Sequence, residues 1–351
     1  MINPALGPDQ NEIKRKKSMR TNFRAFVVDQ TDEGFTMGIR RLHLQDLPLG
    51  EVLIQVEYAA MNYKDALVCT AQGKIAQMYP LVPGVEFAGR VVESMDQRFT
   101  SGDEVLAYDF GSTLGISRHG GYSEYARVPG EMLFPLSSKL DCKQALVLSA
   151  ATTAMMGLRQ LEKNGLTPQL GPVLVTGATG GVGSLAISLL SKRGYTVAAS
   201  TGKPEAHDYL RRLGASEILG REEVSADSTR PLEAQRWAAS IDTVGGATLA
   251  YLMRTTKKGG AIAAIGVAGG ATFHTTVYPL ILRGIKVLGI DMPSTSLEVR
   301  HELWEEVTRE RALLSSVASM VSEVTLEDIA RVTKAMLDGQ TRGRILVRLS
   351  E

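Results

Sequence analysis

Cysteine is scarce, with only Cys69 and Cys142 among 351 residues, far apart and neither in a C-x-x-C pair. Two isolated cysteines exclude a disulfide framework and a four-cysteine metal lobe, and they suit a reducing compartment, so a cytoplasmic location is expected. An excess of either charge is missing too: 39 Lys+Arg face 38 Asp+Glu, a net charge of +1. Nothing in that balance points to nucleic acid as the main partner. No run of 18 apolar residues occurs, so no transmembrane helix and no membrane partner are expected. The first 21 residues carry a basic cluster without an apolar core segment, which reads as a disordered leader rather than a signal peptide. None of the five histidines, His43, His119, His207, His274 and His301, belongs to an H-E-x-x-H or H-x-H pair. The chain also lacks G-x-S-x-G around a nucleophile and the G-K-[ST] ending of a P-loop, which disfavours serine hydrolysis and NTP hydrolysis. There is no internal repeat and no low-complexity segment.

What is present divides in two, as a chain of this length predicts. From Asn22 to about Pro135, short segments such as "FRAFVVD", "FTMGIRRLHL", "EVLIQVEYAAMN", "AGRVVES" and "DEVLAYD" alternate apolar and polar residues between turn signals. Near Lys143 the pattern changes to "CKQALVLSAATTAMMGLRQLEKNG", a helix that stops at Asn164-Gly165. Strands then alternate with helices: "VLVTG", "YTVAAS", "SEILG", "SIDTVG", "GAIAAIG" and "IKVLGID". Their continuous apolar character predicts a parallel sheet covered on both faces, an α/β doubly wound arrangement. The terminal "GRILVRL" alternates like a strand and is expected to rejoin the first domain. The expected division is 22–145 with 295–351 for one domain and 146–294 for the other.

The stretch "VLVTGATGGVGSLAISLL" places Ala178-x-Gly180-x-x-Gly183 between a strand and a helix. This is the dinucleotide fingerprint with alanine in its first position. Gly180 lets the main chain approach a pyrophosphate, Gly183 lets helix pack on strand, and Gly177 supplies a permissive turn. Thr179, Gly181 and Val182 complete a loop whose amides and helix dipole would face phosphates. The competing reading is a purely structural turn. The second strand bears on which nucleotide. An NAD site wants a carboxylate at its end, whereas this strand ends "ASTGKPE". Thr201, Gly202 and Lys203 would bind a 2′-phosphate and Glu205 comes late, so NADPH is expected over NADH. A solvated loop lysine is the alternative for Lys203.

With strands first, a Rossmann unit next and a return at the C-terminus, the chain resembles the medium-chain dehydrogenase/reductase superfamily from Asn22 onward. The segments "MNYKDAL", "PLVPGVEFAG", "GATGGVG", "ASTGK", "WAASIDTVGG" and "QTRGRILV" are similar to its acrylyl-CoA reductase and quinone oxidoreductase branch. The resemblance implies a GroES-like β-rich catalytic domain beside a Rossmann domain, and a homodimer pairing around "IKVLGID". Zinc members carry Gly-His-Glu where this chain has Gly84-Val85-Glu86, and the segment that usually offers a ligand cysteine reads "MNYKD". No metal is therefore expected. Without a Lewis acid, hydride transfer to an activated C=C remains practical, with hydrogen-bond donors stabilising the enolate.

The resemblance places Tyr63 against NADPH, with a second possible role as proton donor and a satisfied core tyrosine as the alternative. Asn62 is a candidate enolate or carboxamide donor, although asparagine is common in turns. Asp65 is expected to cap the helix that "KDALVCTA" begins. Arg221, Val267, Asp291 and Arg344 match positions that approach the cofactor, the alternatives being a surface arginine for Arg221 and a strand-flanking charge for Arg344. The implied reaction is NADPH-dependent reduction of acrylyl-CoA to propionyl-CoA, with a small-molecule acyl-CoA thioester as substrate. An NADPH:quinone or enone oxidoreductase is the alternative, and a non-catalytic NADPH-binding redox sensor the second.

Overall fold

The structure, a computed structural model, describes residues 22–350 except 109, 110, 112, 138, 311, 312 and 314–318; the expected leader, 1–21, lies outside the described residues. Strands β1 (Asn22–Thr31) and β2 (Gly34–His43) form an antiparallel hairpin. The main β-sheet of the first domain contains β3 (Val52–Met61), β4 (Glu86–Ser94), β5 (Glu104–Tyr108), β6 (Tyr125–Val128) and β7 (Leu133–Pro135). Two late strands, β14 (Val321–Val324) and β15 (Arg344–Arg348), complete it in the order β14-β15-β3-β4-β5-β7, with β6 also paired to β3. Thus the C-terminal strand does rejoin the first domain, against β3.

Six parallel strands make the second sheet: β8 (Val173–Val175), β9 (Val197–Thr201), β10 (Ala215–Gly220), β11 (Trp237–Asp242), β12 (Thr256–Ala264) and β13 (Lys286–Gly289). Their order, β10-β9-β8-β11-β12-β13, reverses between β8 and β11, the switch point at which doubly wound sheets bind ligands. β8 and β11 are buried throughout, as strands covered on both faces require.

Helices follow the same logic. α1 (Tyr63–Val68) is a short turn after β3, and α2 (Cys142–Lys163) links the domains. Asp141 caps α2 by accepting from the Gln144 amide at 2.7 Å, while the Gln144 side chain accepts from the Asp141 amide. Such a box is worth about 1 kcal/mol. α3 (Gly181–Lys192), α4 (His207–Leu213), α5 (Gly246–Thr255) and α6 (Tyr278–Arg283) belong to the Rossmann half. α7 (Leu297–Arg309) and α8 (Ile329–Leu337) follow, α8 packing on α1.

β3 departs from the simple alternation expected of it: Val52, Leu53, Ile54, Val56 and Ala59–Met61, seven of its ten residues, are all buried. Two covers account for this. Most of these residues lie in the core of the β-domain, while small residues Ala150, Ala151 and Ala154 let α2 lie close to β3 and β4 and bury Ala60 on the side that would otherwise meet water. One apolar cluster consequently runs from Ala60, Leu106 and Phe134 through α2 into Val175, Leu185 and Ile241, with a second inside the β-domain.

Candidate active site

The glycine loop joins β8 to α3. Gly177 holds φ +57°, and a Cβ on Gly183 would stand 2.5 Å from the Gly177 carbonyl oxygen, so strand and helix touch there only because residue 183 has no side chain. The first amides of α3 are left for an external acceptor, and the helix dipole favours an anion at that end. Thr179, Gly180, Gly181, Val182 and Gly183 all occupy this turn. A segment of the other domain crosses it: the Gly343 amide donates to the Thr179 carbonyl at 2.7 Å, and Gly180 and Gly343 form a bridge.

At the exit of β9, Thr201 is buried and its hydroxyl accepts from the Lys203 amide at 3.1 Å. Lys203 is half-buried, with its ammonium donating to Thr179 Oγ1 at 3.3 Å and to the Thr341 carbonyl. It is not the solvated lysine of the alternative reading. Burial, and then the neighbouring Arg221 and Arg342, hold its pKa below the ordinary lysine value. Arg221 follows β10 directly and lies flat on Gly202, whose Cβ would sit 2.8–3.0 Å from Nε, Cζ and Nη2 of that guanidinium. Gly202 thus makes room for the cation.

Register positions the second group. Ile345 pairs with Met61 across β15 and β3, and Glu86 pairs with Ala60 across β4 and β3. Asn62, one residue past β3, is therefore set opposite Arg344, with Glu86 opposite Ala60 two residues back on the other side. Arg344 is 4% exposed; its Nη1 donates to Asn62 Oδ1 at 2.6 Å, Nε to the Leu146 carbonyl at 3.0 Å and Nη2 to Glu86 Oε2 and Ser149 Oγ. The Ser149 hydroxyl also donates to Glu86 at 2.8 Å. A buried ion pair of this kind fixes geometry more than it adds stability, and removing one partner leaves an uncompensated charge at about 3–5 kcal/mol. Arg344 is accordingly no strand-flanking surface charge. Its Cδ lies 3.4 Å from where a Gly181 Cβ would be, so it touches the start of α3 as well.

Because a guanidinium only donates, Arg344 dictates that Asn62 turns its oxygen inward. The amide nitrogen is then left over: Asn62 Nδ2 is buried without a hydrogen-bond partner. Such a donor, costly to bury unpaired, is suited to a ligand oxygen. Tyr63 is the first residue of α1, beside it. Asp65 completes the capping box from the third helical position, not from the cap itself, which is Asn62. Its carboxyl accepts from the amides of Asn62, Gly84 and Val85 at 2.8, 3.0 and 2.9 Å, tying α1 to the loop before β4. Burial pushes this carboxyl up to about 6 against the bonds from Asn62 and Val85.

Val267 and Asp291 sit at the same C-terminal edge of the Rossmann sheet, past β12 and β13, and both are exposed. Asp291 accepts from the Ser294 amide at 3.3 Å. The structure so assembles two groups around the glycine loop, Asn62 with Tyr63 and Arg344 on one side, Thr201 to Lys203 with Arg221 on the other. Sequence reasoning missed Ser149, Arg342 and the Thr176–Asp242 hydrogen bond of 2.5 Å that ties β8 to β11 at the switch point. Only the last carried a signal, since Thr176 directly follows the strand in "VLVTG" and Asp242 ends the one in "SIDTVG".

The residues fit a phosphorylated dinucleotide: a glycine turn with free amides, a cationic strand exit and an orphaned amide donor. They do not fit zinc. Val85 is fully buried in the apolar core, and Cys69 and Cys142 have thiols pushed up by burial, the reverse of what a thiolate ligand needs. Among the described residues no group of three or more His, Cys, Asp and Glu could hold a metal.

Residues 48–138 match the alcohol dehydrogenase GroES-like domain, and 181–310 match the family described as zinc-binding dehydrogenase. The chain is 44% identical over 328 residues to the acrylyl-CoA reductase AcuI of Ruegeria pomeroyi, covering 93% of this chain and 98% of that one. Among solved structures it resembles the YhdH oxidoreductase of Salmonella enterica in complex with NADP, with a TM-score of 0.86, 41% identity and coverage of 93% and 100%. It also resembles the Bacillus subtilis protein YhfP with NAD bound, with a TM-score of 0.85, 44% identity and coverage of 94% and 100%.

Proposed function

The chain belongs to the medium-chain dehydrogenase/reductase superfamily, and from that premise we propose that it is a zinc-independent, NADPH-dependent reductase of an activated double bond, acting on acrylyl-CoA to give propionyl-CoA. The observation that carries this reading is the buried Asn62 amide, held by Arg344 with its nitrogen unpaired in the segment where zinc members offer a ligand. Asn62 Nδ2 would donate to the thioester oxygen as negative charge develops there, a role that strengthens in the transition state. Tyr63 would lie against the nicotinamide and the amides of Gly181 to Gly183 against the pyrophosphate. Val267 and Asp291 would border the nicotinamide side. When bound, NADPH supplies the hydride that reaches the β-carbon; a proton added at the α-carbon completes the reduction.

One relative was solved with NADP and another with NAD, so the choice of cofactor rests on this chain's own residues. Lys203 past the end of β9 and Arg221 past the end of β10, with no carboxylate at positions 200–203, favour a 2′-phosphate. A homodimer is supported by the unpaired edge of β13 and by exposed Val277, Tyr278, Ile281, Leu282 and Val287 beside it. Two buried free cysteines suit the cytoplasm.

Steady-state kinetics with acrylyl-CoA, crotonyl-CoA and a benzoquinone at equal NADPH tests the reading. The thioester should give the highest kcat/KM. A quinone value far above either thioester would replace this reading with a quinone reductase, and tight NADPH binding without turnover on any of them would leave a binding protein.

A further inference from the structure

A cleft of about 420 Å³ opens between the exit of β9 and the return segment, lined among others by Lys203, Glu205, Arg331, Gln340, Thr341 and Arg342. Its charges are unequal in availability. Arg331 is paired with Asp328 at 2.8 Å. Arg342, by contrast, reaches out of the turn before β15 and stacks across the domain boundary on Tyr209 of α4, with Cζ 4.9 Å from the ring centroid. Arg221 lies on Gly202 with Nη2 3.6 Å from where a Gly339 Cβ would be, so it also faces the return segment. Among the described residues neither Arg221 nor Arg342 has a carboxylate within ion-pair distance, and Lys203 spends its ammonium on two oxygens that carry no charge. Three cations thus converge with Glu205 as the nearby counter-charge. Like charges so placed repel one another, and a dianion between them converts that repulsion into attraction.

We infer that Arg342 is a specificity-determining residue for the 2′-phosphate of the cofactor, so that the phosphate is gripped from both domains. Lys203 and Arg221 come from the Rossmann half, Arg342 from the β-domain. The stacking on Tyr209 holds the guanidinium over α4, on the Rossmann side of the boundary, before any ligand arrives. NADH, lacking the phosphate, would engage none of this, and the clamp across the domains would stay unmade. The inference rests on the NADPH reading above and adds a residue outside the Rossmann domain to it.

Calorimetric titration of the cofactor-free protein with adenosine 2′,5′-bisphosphate and with AMP separates the two. In the unaltered protein the bisphosphate should bind more tightly than AMP. Arg342→Gln should weaken the bisphosphate about five-fold and AMP less than about two-fold, and Arg342→Lys should recover most of the loss. Equal binding of both ligands by the unaltered protein would overturn the NADPH reading itself. A bisphosphate preference that survives Arg342→Gln within about two-fold, while Lys203→Gln abolishes it, would overturn the role of Arg342 alone. So would an equal loss for both ligands, which would mark Arg342 as structural.

Discussion

Asn62→Asp is the sharpest perturbation the site allows. Aspartate has the same size, is as good a helix cap as asparagine, and offers Arg344 the same acceptor that Asn62 Oδ1 presents at 2.6 Å. The ion pair with Glu86 and the bond to the Leu146 carbonyl need not move. What changes is the other atom of the group: the buried, unpaired Nδ2 donor becomes an oxygen that accepts and carries charge. Removal of one oxyanion donor costs about 2.7–4 kcal/mol, or about 10²–10³ in kcat, and a carboxylate aimed at a forming enolate should place the effect at the upper end. The glycine loop and the β9 exit are untouched, so the KM for NADPH should shift less than about three-fold. Stopped-flow and steady-state rates with acrylyl-CoA, using NADPH and its 4-deuterated form, measure both consequences. With the hydride step slowed, the isotope effect should rise as kcat falls. A kcat within about five-fold of the unaltered protein, with an unchanged isotope effect, would refute the donor role.

Lys203→Glu should lower the ratio of kcat/KM for NADPH over NADH by more than about ten-fold, through repulsion of the 2′-phosphate; a preserved NADPH preference would show that Lys203 does not discriminate. Since only charged Lys203 attracts that phosphate and its pKa is held below the usual lysine value, KM for NADPH should rise with alkaline pH before an ordinary lysine titrates, at about 10.4. KM for NADH should stay flat over the same range. Gly183→Ala, whose Cβ would stand 2.5 Å from the Gly177 oxygen, should cost about 2 kcal/mol, about 4–8 °C in Tm by calorimetry. Ile281→Asp, 67% exposed in the isolated chain, should convert a dimer to a monomer in sedimentation equilibrium; an unchanged dimer would move the interface elsewhere.

The parts of the fold that were legible in the residues are those set by local rules. "VLVTGATGGVG" reads as strand, turn and helix from its apolar run and the spacing of its glycines, and at Gly183 the structure shows why: a Cβ there would strike the Gly177 carbonyl oxygen. The end of β9 likewise carries a readable signal, a lysine and no carboxylate, and the structure holds that lysine half-buried against Thr179 and Thr341. Arg344 marks the limit. Nothing within "QTRGRILV" says that this arginine is buried, because its burial follows from a pairing across 284 residues, Ile345 with Met61, and from the helix α2 that seals it with Ser149 and Leu146. Arg342, two residues earlier, has different neighbours and stacks on Tyr209 of α4. Strand alternation would have put both side chains on one face of β15. The turn at Gly343, held at φ +66° and hydrogen-bonded to Thr179, breaks that alternation, so that Arg344 meets Asn62 while Arg342 meets Tyr209. A single glycine at the domain boundary therefore separates the two arginines, and it does so through a contact with the very loop that the local rules had already identified.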